Sequence, residues 1–525
     1  MAENKKNITH IPADKFRFVN EGERLTDQKF EDKPVGYFKD AWIRFRRSKA
    51  SVVATVIICC IILYAFLAPL LITSHESTFM VNMYAKKPAR VEALRSPGFM
   101  DGGVNRDFSE KGLIKSVAMG VGAEDWEGKG ITIAEALDSE YQPMIEIGEA
   151  KTIIGAGKKE SKSFSGRIDS YLEVGFFYRS IQQSELQSIL EWEEATGKRV
   201  LYPLIENNKW NMDPQDANYW YKSTKGTPVS LDENGKATKL EYSLDLVLED
   251  NYKRDADGNP IRWEYTGGGT LETAQLKVRV LYYNYYQYLY GSTPDYIMGT
   301  DSQGYDLALR IAGGIKLSLL VAVFVCVINF VLGSIYGAIE GYYGGTVDIV
   351  LERISDILWN VPFIVVATLF QIHLSQKLGA IPCLLFAYVV TGWISTASRV
   401  RTQFYRFKTQ EYVMAARTLG ARDRRIIWKH IFPNSLGTII TSSALAIPST
   451  MLSESMLSFL GIVKLGTAES TSLGTLLADA SGIWTNYPHL MIYPAIVISL
   501  LMICFNLFGN GLRDAFNPAL RGVEE

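Results

Sequence analysis

The sequence is poor in cysteine, and this scarcity limits what its long polar stretch can be. Five of the 525 residues are cysteines, and none lies between Ser74 and Tyr296, so no disulfide can form within that stretch. The five show no CxxC pair and no Cys/His spacing of a zinc site. All fall inside apolar runs, and we interpret them as small packing or lipid-facing residues: Cys59, Cys60, Cys326, Cys383 and Cys504.

The sequence also lacks the motifs of common catalytic sites. A phosphate-binding loop requires G-x-x-x-x-G-K-[ST], and the nearest match, Gly155-Ala-Gly157-Lys158, lacks the first glycine spacing and the Ser/Thr. No HExxH or GxSxG motif is present. The formal net charge of −2 argues against a general nucleic-acid binder. We therefore expect a chain that is not an enzyme, that binds no nucleic acid, and that holds neither a metal nor a cofactor.

Long apolar runs are what the sequence does have. Hydrophobic residues make up 47% of the chain, and they cluster in runs close to the roughly 20 residues that a bilayer-crossing helix needs. We place these runs at residues 50–72, 309–338, 354–374, 379–398, 435–460 and 488–510. The sequence therefore predicts an α-helical polytopic membrane protein with six transmembrane helices.

Basic residues predict the orientation of these helices. The first run begins about 50 residues into the chain, after a long charged lead, which favours a retained anchor over a cleaved signal peptide. Cytoplasmic loops carry an excess of Lys and Arg. Basic residues crowd the lead and one later loop: Lys39, Arg44, Arg46, Arg47, Lys49, Arg399, Arg401, Arg406, Lys408, Arg417, Arg422, Arg424, Arg425 and Lys429. Both termini and this loop are therefore expected in the cytoplasm.

These features divide the chain into five regions. Residues 1–49 form a cytoplasmic tail ending in an amphipathic interfacial helix, 50–72 the first transmembrane helix, 73–300 an extracytoplasmic domain, 301–512 a five-helix core with a cytoplasmic loop at 401–433, and 513–525 a cytoplasmic tail. Within 73–300 we expect a helix over 184–198 and strands over 240–248 and 271–288. The inserted domain is therefore predicted to be α+β.

The loop at 411–433 carries two short helices in its pattern. Tyr412, Ala416 and Leu419 fall on one face of the first helix, and Ala415 and Ala416 are small enough for close approach to another surface. Gly420 permits a sharp turn. A second helix with apolar Ile426, Ile427 and Ile431 follows, and Pro433 is expected to end it. On spacing alone, a lever between a partner and the membrane and a simple basic flank are equally favoured.

Several residues within the apolar runs have unusual chemistry for a membrane. Gly333, Gly337 and Gly341 repeat every four residues, which favours a close helix–helix seam. Pro362 predicts a kink, as a hinge or a packing feature. Glu454 is costly in lipid unless it has a partner or water, and we expect it to brace helices, gate the path or line it.

The segment 411–433 resembles the cytoplasmic EAA loop of ATP-binding-cassette (ABC) importer permeases. The family pattern is Glu-Ala-Ala, a Gly four residues after the second Ala, and an ending in hydrophobic-x-Leu-Pro. Ala415, Ala416, Gly420 and Pro433 match this pattern. Met414 stands where the family has Glu, and Phe432 where it has Leu, so any docking here should rely on shape, small residues and basic contacts more than on that carboxylate.

Further motifs extend the resemblance to residues 37–72 and 297–521. In order they are Phe38-Lys-Asp-Ala-Trp-x-Arg-Phe-Arg-Arg-Ser-Lys49, Gly299-Thr-Asp301-x-x-Gly304-x-Asp306, Gly341-Tyr-Tyr-Gly-Gly-Thr-Val-Asp348, Leu457-Ser-Phe-Leu-Gly461 and Gly509-Asn-Gly511-Leu-Arg-Asp514. This set is similar to the C-type permease of oligopeptide, dipeptide and nickel importers. Tyr305 replaces a usual Arg and Asn510 a usual Asp, and typical members have only a short loop in place of most of 73–296.

The resemblance implies a prokaryotic cell-membrane importer with several partners. These are a second homologous permease, two cytoplasmic ATPase subunits that use ATP and Mg, an extracytoplasmic substrate-binding protein and the bilayer. It implies that this chain forms half of a path for oligopeptides or dipeptides and that the first loop helix sits in a cleft of an ATPase. The expected coupling residues are Tyr412, Met414, Ala415, Ala416, Leu419, Gly420, Arg424, Ile431 and Pro433.

Two rival functions make different demands on the sequence. A membrane-anchored enzyme or receptor predicts a catalytic or metal constellation within 73–300, where we assign none, and leaves five later helices unexplained. A secondary transporter or channel predicts inverted repeats or paired charges in broken helices, and we find no such symmetry.

Overall fold

The computed structural model describes residues 37–72, 80–154, 160–211, 213–267, 275–465 and 471–516. The expected tail at 1–36, the Gly155–Lys158 motif and most of the carboxyl-terminal tail lie outside these ranges. The helices are α1 (Tyr37–Arg47), α2 (Lys49–Leu71), α3 (Glu110–Glu124), α4 (Ile133–Leu137), α5 (Gln183–Thr196), α6 (Tyr282–Tyr290), α7 (Leu307–Tyr343), α8 (Gly345–Trp359), α9 (Phe363–Leu378), α10 (Ala380–Thr391), α11 (Ile394–Phe407), α12 (Glu411–Thr418), α13 (Asp423–Arg425), α14 (Phe432–Ala444), α15 (Ala446–Phe459), α16 (Leu473–Ser481) and α17 (His489–Ala515). The strands are β1 (Gly103–Ser109), β2 (Met144–Ile154), β3 (Glu160–Asp169), β4 (Phe176–Gln182), β5 (Leu201–Tyr202), β6 (Ser223–Thr224), β7 (Thr227–Leu231), β8 (Ala237–Lys239), β9 (Trp263–Gly267) and β10 (Gln275–Leu281).

The predicted polytopic helical architecture is confirmed. Among the described residues, five helical stretches are long and apolar enough to cross a bilayer: Lys49–Leu71, Leu307–Tyr343, Ala380–Phe407, Asp423–Phe459 and His489–Ala515. Helices α8 and α9 meet the same test together but are bent by 70°. Pro362 lies in this break, where it has no N–H to donate and keeps the preceding residue away from helical angles. The number of spans is therefore five, or six with the bent pair as one.

Helix α2 shows why these helices belong in lipid. Its small or slim residues Ala54, Ile58 and Ala65 are buried in one cluster with Ile311 of α7 and Leu501 of α17. Other apolar side chains of α2 point outward and are exposed: Val53, Val56, Leu63, Phe66, Leu70 and Leu71. A continuous exposed apolar surface of this kind marks a membrane or partner contact, and along a helix of 23 residues it fits a lipid-facing stripe.

Between α2 and α7 the chain forms a sheet-rich domain, residues 80–300, whose described residues form three antiparallel sheets. Their strand orders are β1-β3-β2, β4-β10-β5 with β9 also paired to β10, and β6-β7-β8. Helix α3 packs through Leu113, Ile114 and Val117 into a core that also contains Trp220. The predicted mixture of helices and strands is therefore present in this part of the chain.

Two strand predictions in this domain need correction. Residues 240–248 are not a strand, because Leu246 donates its N–H to the Ser243 carbonyl in a turn and Leu244 points outward; Ser and Asp favour such turns. The sequence predicts one or two strands over 271–288, of which 271–274 lie outside the described residues; one strand, β10, is present, but it stops at Leu281 and α6 follows. The tyrosines of α6 at helical spacing, Tyr282, Tyr285 and Tyr286, are buried in one cluster, so packing decides the helix. The helix expected over 184–198 is confirmed as α5.

The sheet-rich domain is joined tightly to the start of α7. Lys86 N–H donates to the Asp301 carbonyl at 2.8 Å, and Thr300 N–H donates to the Lys87 carbonyl at 2.9 Å. Gly299 and Gly304 have φ angles of 81° and 96°. A Cβ on either glycine would collide with backbone, of Lys87 in one case and of Val81 in the other. The Gly299–Asp306 motif therefore fixes this domain to α7.

Candidate functional site

A glycine seam joins α7 to α11, the helix that leads to the loop. A Cβ added at Gly333 would lie 2.7 Å from Cβ of Thr396, and one at Gly341 would lie 2.7 Å from Cβ of Phe404. At Gly337 it would collide with the Ala397 carbonyl oxygen. Any larger residue would therefore separate the helices, which agrees with the close seam that the four-residue spacing predicts.

An ion cluster reinforces the end of this seam nearest the loop. Arg401 Nε lies 2.6 Å from Oδ1 of Asp348, and Arg401 Nη1 lies 3.0 Å from Oε1 of Glu352. Glu340 lies 3.6 Å from the same guanidinium, and Tyr405 OH donates to Asp348. The cluster holds α7, α8 and α11 together. Sequence reasoning missed it, although Asp348 closes the quoted Gly341 motif and Arg401 lies among the basic residues.

The loop forms the short helix α12 and then the start of a second, much longer helical stretch, around a small buried core. Helix α12 ends at Thr418, and Gly420 has a φ of 80°. Then α13 and a π-helical turn, Ile426–Ile431, lead into α14. The apolar side chains on the inner side are buried with Val400 and Phe404 of α11: Val413, Ile426, Ile427 and Ile431. This core fixes the loop to the membrane helices.

The opposite side of the loop is an exposed apolar face, which we call the coupling face (Tyr412, Met414 and Leu419). Leu419 is 88% exposed and Met414 52%. Ala415, Gly420 and Arg424 are also exposed beside it, and Ala416 is half-buried. No described residue covers Leu419 closely, so this face has the character of a partner contact. Partial burial raises the pKa of the Tyr412 hydroxyl.

Two of the expected coupling residues have a different position. Ile431 is fully buried in the loop core, so it shapes the loop from inside. Pro433 does not end the second helix, because it lies in the first turn of α14, and Asp423–Phe459 runs on as one helical stretch. The π-helical turn directly before it widens the helix, and a wide turn accommodates a residue that lacks an N–H.

Polar contacts tie the loop to the end of α7. Tyr342 OH donates to Oδ1 of Asp423 at 2.6 Å, and Arg417 Nη2 donates to the same hydroxyl oxygen at 3.4 Å. Lys408 Nζ donates to the Gly341 carbonyl at 3.0 Å. These contacts link the loop directly to the end of α7.

Glu454 braces two helices. It is fully buried in α15, and its Oε2 accepts a hydrogen bond from Ser318 Oγ of α7 at 2.9 Å. Ser458 Oγ donates to Oε1 at 3.1 Å. Buried carboxylates need such partners. The geometry supports the bracing role among those that the sequence leaves open.

A cavity of about 500 Å³ opens among α7, α9, α10, α11, α14 and α15. We call it the neutral cavity, because its lining carries no charged side chain: Cys326, Asn329, Trp359, Val361, Pro362, Phe363, Tyr388, Thr391, Gly392, Ser395, Thr396, Ser443, Ala446, Ser449, Thr450 and Ser453. Tyr388 OH lies 2.5 Å from Ser453 Oγ. Hydroxyl and amide groups can hydrogen-bond a polar solute without holding it by charge.

Sequence comparison places this arrangement in a known family. A family described as binding-protein-dependent transport system inner membrane component matches residues 329–522, and one described as the N-terminal TM domain of oligopeptide transport permease C matches residues 36–88. The oligopeptide transport system permease protein OppC of Bacillus subtilis is 40% identical over 228 residues, which cover 43% of this chain and 73% of that protein. The chain belongs to the C-type permeases of ABC importers.

A second relative is similar to this C-type permease to about the same extent. The dipeptide transport system permease protein DppC of Bacillus subtilis is 39% identical over 233 residues, covering 43% of this chain and 70% of that protein. Among solved structures, the MetNI methionine ABC transporter in an inward-facing conformation is 15% identical, with a TM-score of 0.32 and coverage of 39% of this chain and 94% of that one. The two matched family ranges leave residues 89–328 uncovered, and these include most of the sheet-rich domain.

Proposed function

We propose that this permease forms half of a translocation path for oligopeptides or dipeptides and receives ATP-driven movement through the loop at 411–433. The observation that carries the proposal is the coupling face, with Leu419 88% exposed, on a loop whose inner side is buried against α11. A surface of that kind suits a protein partner. The names of the relatives, oligopeptide and dipeptide transport system permease proteins, supply the substrate class.

The partners follow from the same family membership. A second homologous permease completes the path, two cytoplasmic ATPase subunits hydrolyse ATP with Mg, and an extracytoplasmic protein delivers the peptide. This chain binds no cofactor and is not itself catalytic. In the prokaryotic cell membrane the bent α8–α9 pair counts as one crossing, which makes six. Both termini and the loop then lie in the cytoplasm, and 73–300 lies outside. We propose the five regions with the boundaries predicted from the sequence.

The coupling residues divide into two groups by their burial. Those that contact the ATPase are exposed or half-buried: Tyr412, Met414, Ala415, Ala416, Leu419, Gly420 and Arg424. Ile431 and Pro433 instead preserve the shape of the loop. Gly333, Gly337, Gly341 and Glu454 hold α7 in place, and Pro362 sets the bend beside the neutral cavity.

A charge on the coupling face tests this proposal. In cells carrying the complete importer, we expect Leu419→Asp to abolish peptide uptake and the peptide-stimulated ATPase activity of the purified complex, because a carboxylate would be desolvated in the contact. Leu244→Asp is the matched control, since Leu244 is 51% exposed in the sheet-rich domain. Normal uptake in Leu419→Asp cells would refute the coupling face. An intact importer that transports no peptide would refute the substrate class.

We further propose that the sheet-rich domain docks the substrate-binding protein. The support is its attachment to the start of α7, where Lys86 N–H donates to the Asp301 carbonyl and Thr300 N–H donates to the Lys87 carbonyl. Packing against the outer face of the partner permease is the alternative. Replacing residues 92–293 by a short Gly-Ser linker, with the junction kept, should weaken binding-protein affinity for the importer. Unchanged affinity and unchanged uptake would exclude docking.

A further inference from the structure

A second cavity, of about 830 Å³, continues from the neutral cavity toward the loop. The two share Ser395, Ala446 and Ser449 as lining residues. The second is bordered by the end of α11 that precedes the loop, by α14, and by the last turns of α17. We call it the basic vestibule, lined by Ser395, Arg399, Gln403, Arg406, Thr438, Thr441, Ser442, Leu445, Ala446, Ser449, Asn506, Asn510, Arg513 and Phe516.

The charge of the basic vestibule is all of one sign. Arg399, Arg406 and Arg513 line it, and its lining contains no Asp or Glu. Within the described ranges no carboxylate forms an ion pair with these three guanidinium groups. Arg399 also borders a cavity that contains Glu352 and Asp356, but forms no ion pair with either. Like charges around a concave surface reinforce one another and attract anions.

Helix α11 carries vestibule arginines on one face and an ion-paired arginine on another face. Arg399, Gln403 and Arg406 recur at intervals of four and three residues, which places them on one face. Arg401 lies on another face and is held by Asp348 and Glu352. The structure thus compensates the arginine that packs between helices and leaves the vestibule arginines available. Gln403 lies between the two arginines on this face, and its side chain is neutral.

On the proposed path the peptide passes through the neutral cavity, and it carries a terminal carboxylate. In that cavity it meets hydroxyls and amides, and the next side chains toward the loop are these cations. We propose that the basic vestibule binds the carboxyl terminus of the transported peptide and draws it from the neutral cavity toward the cytoplasm. This inference rests on the proposed peptide function. It assigns Arg399, Arg406 and Arg513 as binding residues for a carboxylate.

The test uses the intact nucleotide-free importer in nanodiscs of phosphatidylcholine, a lipid without net charge. Tri-alanine and its carboxyl-terminal amide are titrated onto the complex in the absence of the binding protein. We expect the acid to bind about fivefold more tightly than the amide, as for exposed ion pairs. The Arg399→Gln/Arg406→Gln/Arg513→Gln variant should bind both equally. Arg353→Gln, at an exposed arginine outside the vestibule, should behave as wild type.

Additional variants and measurements distinguish the outcomes that would contradict this proposal. If the triple variant does not assemble, Arg406→Gln and Arg513→Gln alone should each reduce the preference for the acid, and the triple Lys variant should retain part of it. A wild-type complex without this preference, or a triple Gln variant that keeps it, overturns the inference. Arginine-dependent retention of phosphatidylglycerol, without an acid–amide difference, overturns it in favour of a lipid headgroup site. Uptake of tri-alanine by wild-type proteoliposomes reports separately on the peptide function.

Discussion

The sheet-rich domain and the membrane bundle are packed by opposite means. In the domain, large aromatic and charged side chains are fully buried, and Arg279 lies 3.9 Å from the centre of the Phe176 ring while it donates to the Ala217 carbonyl. In the bundle, Gly333, Gly337 and Gly341 bring backbones together. In water, burying large apolar surfaces stabilises a core. In a bilayer, apolar side chains gain little by leaving the lipid, so helices associate mainly through close contact between their backbones. The environment therefore decides which residue types a core uses.

The largest effect should come from filling the glycine seam. A Gly337→Leu substitution would drive a side chain into the Ala397 carbonyl oxygen, and backbone cannot yield as a side chain can. We expect no monodisperse protein after detergent extraction, because the packed bundle cannot form around this side chain.

Gly313→Leu is the matched control on the same helix, because a Cβ at Gly313 meets nothing within 4 Å. It should extract and melt like wild type. If both variants behave alike, close approach at the seam is not what holds α7 to α11, and the contrast with the sheet-rich domain fails.

Removing a buried charge from the sheet-rich domain should give the second-largest loss of stability. Arg90 and Asp169 form an ion pair at 3.0 Å, with both side chains at most 3% exposed. Burial raises the pKa of Asp169 and Arg90 opposes this change. Removing the arginine by Arg90→Met leaves a buried carboxylate unpaired, which costs about 3–5 kcal/mol. We expect rapid proteolysis within 80–300 while the membrane helices stay intact.

Two further variants sharpen this second prediction. Arg106→Met removes an exposed pair with Glu173, which should cost under about 1 kcal/mol. Arg90→Met/Asp169→Leu removes both buried charges and should recover part of the lost resistance to protease. Proteolysis that spreads equally into the membrane helices would show that the two regions do not fold as distinct cores.

The sequence predicts most of the bundle and less of the domain, for physical reasons. Lipid requires long apolar runs, which can be counted, and the seam glycines are spaced by four. Pro362 predicts a break in the helix, but the size of the observed 70° bend is not given by any local sequence pattern. The ion cluster of Arg401 joins residues 53 and 49 positions away, and no local pattern reports such a distance.

In the domain the errors come from chain segments whose state is set by tertiary contacts. Tyrosine is compatible with strand or helix, so the burial of Tyr282 and Tyr286 decides for α6. Small residues and Gly420 predict the first loop helix and the turn after it. The position of Pro433 depends on the π-helical turn before it, which no local sequence pattern marks. The coupling face is likewise a consequence of which side of α12 becomes buried.

The smallest effect should be a pH dependence confined to the domain. Burial favours the neutral form of Asp101, but the Arg167 guanidinium at 2.6 Å and the N–H groups of Gly98 and Gly103 outweigh it and lower the pKa of this carboxyl below 3.8. Because the folded value lies below the unfolded one, the stabilisation is complete above the unfolded pKa. It is lost as the pH falls through the folded value.

Protease resistance of residues 80–300 should therefore fall more steeply below about pH 4 in the wild type than in Asp101→Asn, which lacks the titrating group. Asp107→Asn, at an exposed position on β1, should leave the wild-type profile unchanged. Resistance of the membrane helices should not follow the same curve, because Asp101 contacts Arg167 and the backbone of its own domain. If Asp101→Asn makes both regions lose their acid sensitivity together, then the Gly299–Asp306 junction transmits stability between them, and the two cores are one cooperative unit.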